Sequence, residues 1–174
     1  MTGLNPDSEE IIEIFCLITN GQLELLDEGG WGTVIHQSKE RMDLMDEWCT
    51  RVHGDSGLTA AVIRSTVIPE QAAEGLLTYI QSHVPNKGVA LLAGNSVHAD
   101  QAFLRKRPYR TVLDHLHYRI LDVSSIKEAA RRWCPSKASR APAKKGLHTA
   151  KEDILESIEE ARYYKSAIFQ PSGF

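Results

Sequence analysis

A chain of 174 residues, 42% hydrophobic and 25% charged, has the make-up of one soluble globular domain with a substantial core. Its net charge of −3 excludes a global basic field for long nucleic acid, so any phosphate recognition has to be local. No apolar run approaches the roughly 18 residues of a membrane span, and Cys16, Cys49 and Cys134 form no C-x-x-C pair, which fits reduced, packed thiols.

The chain opens on the turn-rich stretch Met1–Glu10. Ile11–Ile18 is a nearly unbroken apolar run, the pattern of a strand buried on both faces. Asn20-Gly21 is a hairpin turn signal leading into Gln22–Asp27 and then Trp31–His36, an antiparallel meander. From Ser38 a helical pattern places Met42, Met45, Trp48 (or Cys49) and Val52 on one face and ends at His53-Gly54. Further helices are predicted over Gly57–Ser65 and Pro69–His83, the second with Ala72, Leu76, Leu77 and Ile80 inward. Val89–Ala93 reads as a short strand, followed by Gly94-Asn-Ser96 and a helix over Val97–Lys106. His117–Leu121 reads as strand, then Asp122-Val-Ser-Ser125 leads into a helix ending near Trp133. Pro135–Gly146 is a basic, flexible loop, and a helix from Ala150 to about Ile168 closes the domain. A meander followed by strand–helix alternation indicates an α/β fold, a mixed sheet flanked by helices.

Three segments share one plan: a strand or loop, a small polar residue, then a helix with an acid nearby. Thr149 and Glu152 form a capping box, which leaves His148 at N′ and Asp153 at N4. Those positions normally hold an apolar staple; here they hold an imidazole and a carboxylate. Ser96 as N-cap puts Asp100 in a first helical turn, and Ser125 with Glu128 is a second capping box after Asp122. Open α/β sheets bind ligands beyond the carboxyl ends of their strands, so Asp100, Asp122, His148 and Asp153 can converge. Carboxylates beside a general base suit hard divalent ions and phosphoryl chemistry. The structural alternative for each Asp alone is a favourable charge at a helix N-terminus.

The combination Met1-Thr-Gly-Leu-Asn-Pro, Leu44–His53, Gly94–Leu104, His117–Ser125 and His148–Asp153 closely resembles the oligoribonuclease family. These are 3′-to-5′ exoribonucleases of the DEDDh group, in the ribonuclease H-like superfamily. The resemblance spans essentially the whole chain and implies a single exonuclease domain over residues 1–174. It implies a two-metal mechanism with Mg²⁺ or Mn²⁺ that shortens very small RNAs to mononucleotides. By motif position Asp100 and Asp153 match metal ligands, and His148 matches the base that deprotonates the attacking water. Leu4 matches a leucine wedged between two bases, and Trp48 and His53 fall on the motif lining the 3′ nucleotide. Ser96, Arg119, Ser124 and Ser125 match a polar cap on the 5′ phosphate, with Tyr118 reaching in from the other subunit of a homodimer. An anion at the start of the helix opened by Ser125, with Arg119 as a forked donor, makes chemical sense of such a cap. Trp48 as plain core and Arg119 paired to a surface carboxylate are the structural alternatives.

The family's first motif, Asp-x-Glu on a strand before Met-Thr-Gly-Leu, has no counterpart after Met1. The expectation is an N-terminally truncated chain whose first, central strand is missing, and with it two of four metal carboxylates. Neither Asp7 nor Glu13 reads as a replacement, and these 174 residues are expected to show little or no nuclease activity. Truncation also makes the lack of a visible targeting peptide uninformative, leaving a cytoplasmic and/or mitochondrial location. Two rival readings stand beside the exoribonuclease: a non-catalytic nucleotide-binding or dimerisation module, and a DEDDh exonuclease acting on longer RNA or DNA 3′ ends.

Overall fold

In the computed structural model, which describes residues 1–143 and 150–169, the apolar run after the opening turn gives strand β1 (Glu13–Cys16). It pairs antiparallel with β2 (Trp31–Val34) in the register Glu13↔Val34 to Cys16↔Trp31. The strand is shorter than its apolar run and half-buried, while Ile11 and Ile12 just before it are buried. The Asn20 side chain makes the intervening turn by accepting from the backbone N–H of Gln22 at 2.8 Å and Glu24 at 3.1 Å.

The helical pattern after Ser38 divides into α1 (Lys39–Met42) and α2 (Glu47–Asp55). The break has a local cause: Asp46 becomes the N-cap of α2, its carboxylate accepting from Cys49 N at 2.7 Å. The new phase turns Cys49 inward, beside Ile12, Met42, Met45 and Val62, and leaves Trp48 outside. α3 (Leu58–Arg64) and α4 (Pro69–His83) follow as the pattern predicts. Pro69 opens α4, where its missing N–H costs nothing, and Ala72, Ala73, Leu76 and Ile80 are buried. Gly75 lets the Trp31 ring lie against α4; a Cβ there would stand 2.6 Å from Trp31 Cζ2.

The second sheet is a parallel pair, β3 (Leu92–Gly94) with β4 (Ile120–Asp122), in the register Leu92↔Ile120 to Gly94↔Asp122. Both strands lie later in the chain than Val89–Ala93 and His117–Leu121. Each runs straight into a helix: β3 into α5 (Val97–Leu104) and β4 into α7 (Val123–Trp133). α6 (Arg110–His115) lies between them, and α8 (Pro135–Ala138) occupies the start of the predicted loop. Arg131 and Arg132 lie in the last turn of α7 and both pair with Glu128. Glu128 therefore serves α7's own surface rather than a capping box with Ser125.

α9 (Ala150–Tyr164), continued by a π-helical turn over Lys165–Phe169, packs against both β1 and β3. Its apolar residues Ile154, Leu155 and Ile158 are only half-buried. The buried face is Ser157, Glu160, Ala161 and Tyr164, spaced as one helical stripe.

The N-cap of α7 is Asp122, not Ser125. Asp122 Oδ1 accepts from Ser124 N at 2.9 Å and from Ser96 N at 3.0 Å, and Oδ2 accepts from His98 Nδ1 at 3.1 Å. One carboxylate thus caps α7 and ties down the start of α5. Burial pushes its pKa up, but these hydrogen bonds, led by His98, outweigh burial and hold it below the usual value. A depressed folded pKa adds stability above the unfolded value, and that stability is lost as pH falls through the folded one. Asp122→Asn is therefore expected to cost about 1–2 kcal/mol near neutral pH, with the difference fading below about pH 4. Urea unfolding of both proteins from pH 7 to pH 3 checks this; a cost independent of pH contradicts it.

Candidate active site

Of the residues expected to form a polar cap, Ser96 and Ser124 meet at the mouths of α5 and α7. Ser96, the N-cap of α5, has φ 55° and ψ 30°, a left-handed conformation that costs a serine about 1–3 kcal/mol. It is held there by its N–H, shared between Asp122 Oδ1 and Ser124 Oγ at 3.0 Å each. The Ser96 and Ser124 hydroxyls stand 3.2 Å apart. Ser125 is exposed in the first turn of α7, two positions into the helix rather than at its cap. Arg119 lies just before β4, its guanidinium carbon 4.9 Å from the centre of the Tyr118 ring. No carboxylate among the described residues pairs with Arg119. Tyr118 is 75% exposed and stacks on His117.

Asp100 and Asp153 occupy the first turns of α5 and α9. Burial pushes the half-buried Asp100 carboxyl up, Asp122 adds to this, and the Met1 α-ammonium and His98 oppose it. Glu13, weighed in the sequence and set aside as a replacement acid, is half-buried in β1. Burial raises its pKa too, and the nearby negative charge of Asp153 adds to the rise, while the Met1 α-ammonium again opposes it. Glu13 and Asp153 thus lie close enough for their charges to interact. His148 lies outside the described residues, as does Thr149, the predicted cap of α9.

A hard divalent ion needs six or more oxygen ligands, several of them from the protein. Among the described residues no three His, Cys, Asp or Glu side chains gather closely enough to hold a metal ion. The described residues therefore do not fit a complete metal centre by themselves.

The residues expected to hold bases sit on exposed ground. Leu4 is 88% and Trp48 57% exposed, whereas Cys49 beside it is 5% exposed, so Trp48 is not core. His53, on the same helix as Trp48, donates from Nε2 to the Met1 carbonyl at 3.0 Å, which leaves Nδ1 as its acceptor nitrogen. Burial lowers its pKa, against the Met1 hydrogen bond, and favours the neutral ring.

Two further residues lie behind the cap. Asn95 bridges Ser124 to Ser157 and Glu160, and Glu160, 3% exposed, pairs with Lys127 at 3.0 Å. Neither stood out in the sequence, because a buried glutamate is recognisable only once the inward stripe of α9 is known.

A family model described as an exonuclease matches residues 1–161. The mitochondrial oligoribonuclease of Mus musculus is 46% identical over 170 residues, covering 98% of this chain and 70% of the relative. The oligoribonuclease of Arabidopsis thaliana is 46% identical over 171 residues, covering 98% of this chain and 75% of its own. That of Vibrio vulnificus is 42% identical over 170 residues, covering 98% and 92%. With an exonuclease fold matched over most of its length and this degree of identity to relatives of such different origin, the chain belongs to the oligoribonuclease family of exonucleases.

Proposed function

We propose that the protein is a 3′-to-5′ exoribonuclease for very short RNA, with residues 1–174 acting as one exonuclease domain. The observation that carries the substrate class is the pair of serine hydroxyls, Ser96 and Ser124, 3.2 Å apart at adjacent helix mouths, with Arg119 just before the strand that leads into α7. Such a cluster suits a terminal phosphate dianion. It closes one end of the substrate, which fits a chain with too little positive charge to track a long strand.

In this reading Ser96, Arg119, Ser124 and Ser125 receive the 5′ phosphate, and Tyr118 serves the cap of a second subunit in a homodimer. Leu4, Trp48 and His53 receive the bases and the 3′ nucleotide. The exposure of Leu4 and Trp48 supports this, since stacking needs a free face. His148 takes the proton from the attacking water. Asp100 and Asp153 are the carboxylates placed for Mg²⁺ or Mn²⁺, as a partial ligand set. The relatives named mitochondrial support a mitochondrial location, with a cytoplasmic one as the alternative; no helix among the described residues is long and apolar enough to cross a membrane.

Titration calorimetry in divalent-free buffer tests the substrate class. A 5′-phosphorylated dinucleotide is expected to bind about tenfold more tightly than a decanucleotide, because only the short ligand can place its 5′ phosphate in the cap while its bases reach Leu4 and Trp48; equal or reversed affinities contradict this. Hydrolysis by these 174 residues with Mg²⁺ or Mn²⁺ is expected to be weak, since two carboxylates leave the ligand set open. Products should be mononucleotides released from the 3′ end, and His148→Ala should lower the rate by about 10²-fold or more. Internal cleavage, or robust turnover with Mg²⁺, contradicts the account. Tight binding with no turnover in either ion favours a nucleotide-binding module, a reading supported by the lack of a three-ligand cluster among the described residues.

Trp48→Ala separates recognition from packing. With the ring largely in solvent, stability should change by less than about 0.5 kcal/mol, while dinucleotide affinity should fall by about fivefold or more through lost stacking. A large loss of stability with unchanged affinity would return Trp48 to the core.

A further inference from the structure

The amide of Asn95 stands where three elements meet: the β3–α5 junction that carries it, the mouth of α7, and the buried face of α9. Its Oδ1 accepts from Ser124 Oγ at 3.1 Å. Its Nδ2 donates to Ser157 Oγ at 2.9 Å and to Glu160 Oε2 at 3.1 Å. The direction of every bond in this chain is fixed. The Glu160 carboxylate is paired to the Lys127 ammonium, so it accepts only, and Nδ2 must face it. The Ser157 hydroxyl gives its hydrogen to the backbone carbonyl of Asp153 at 2.8 Å and so accepts from Asn95. The Ser124 hydroxyl gives its hydrogen to Asn95, so in its 3.2 Å contact with Ser96 Oγ the donor is Ser96. One directed path therefore runs from Ser96 through Ser124, Asn95 and Ser157 to the carbonyl of Asp153.

We propose that Asn95 is a positioning residue that sets the spacing between the 5′-phosphate cap and the carboxylate-bearing turn of α9, and so selects substrates with a 5′ phosphate two nucleotides from the 3′ end. The inference rests on the cap reading above. Asn95 touches neither reacting atom nor phosphate. It acts through Ser124, whose hydroxyl hydrogen it keeps turned inward, and this leaves the exposed Ser96 hydroxyl as the donor that swings to an incoming phosphate. The same amide anchors the turn that presents Asp153. Ser96 and Asp153 lie in different elements, and the Asn95 amide joins the two by side-chain hydrogen bonds.

The test is the affinity ratio between a 5′-phosphorylated dinucleotide and its 5′-hydroxyl counterpart, measured by titration calorimetry without divalent ions. The unaltered protein is expected to favour the phosphorylated ligand about tenfold or more, as charge-assisted contacts do. Asn95→Ala should bring the ratio to about threefold or less, and Ser157→Ala, which keeps a good helix former in α9, to an intermediate value. General loosening of the site weakens both ligands alike and leaves the ratio unchanged, so the ratio reads positioning rather than stability. An unchanged ratio in folded Asn95→Ala, or in Ser157→Ala should the first variant not fold, overturns the role of Asn95 and leaves the cap intact. No preference for the phosphorylated ligand in the unaltered protein overturns the cap reading itself, and the inference with it.

Discussion

The buried carboxylate of Glu160 is the constraint around which the rest of the site is arranged. At 3% exposure its charge needs partners, and besides the Tyr164 hydroxyl of its own helix at 3.5 Å it has two from other elements: the Lys127 ammonium and the Asn95 amide. These partners come from α7 and from the β3–α5 junction, while Glu160 itself is on α9. Satisfying one buried charge thus fixes the relative placement of the three segments that carry the cap and the acidic turns. Apolar packing of Val123, Ala130, Ala161 and Tyr164 closes the same junction from behind. Apolar contacts tolerate sliding; directed hydrogen bonds to a buried charge do not, and this is where geometric accuracy enters the site.

A division of labour follows. Groups that hold position are buried or capped: Glu160, Asn95, and Asp122 with its three donors. Groups assigned to recognition are exposed: Leu4, Trp48, Tyr118, Ser96 and Ser125. Ser96 belongs to both sets, a strained left-handed residue whose N–H is fixed and whose hydroxyl faces outward. Backbone strain of this kind persists only where the surroundings over-determine it, as two acceptors on one N–H do here. Local donors replace the long-range field that the net charge of −3 denies the protein.

Much of this was legible in the sequence, for reasons that differ by element. The bounds of α4 follow from Pro69 and an uninterrupted apolar stripe, both local signals. The α/β class and the placement of Asp100 in the first turn after Ser96 follow from the short strand–turn–helix pattern. Ser125 with Glu128 imitated a capping box, but Asp122 reaches the first free N–H groups sooner, and Glu128 is drawn off by Arg131 and Arg132. Trp48 and Cys49 competed for one inward position, and only the break at Asp46 decides between them. Glu160 and Asn95 were silent because their meaning is tertiary: a glutamate in a helix reads as solvent-facing until the helix has two sheets and α7 around it.

The central claim is that the mouths of α5 and α7 and the first turn of α9 form one hollow that holds a dinucleotide by its two phosphates. Diffraction from crystals grown with a 5′-phosphorylated dinucleotide tests it most directly. The account predicts the 5′ phosphate within hydrogen-bond distance of Ser96 and Arg119, and the internucleotide phosphate on the side faced by Asp100 and Asp153. A ligand bound elsewhere, or one lying in the reverse direction with its 3′ end in the cap, would contradict it.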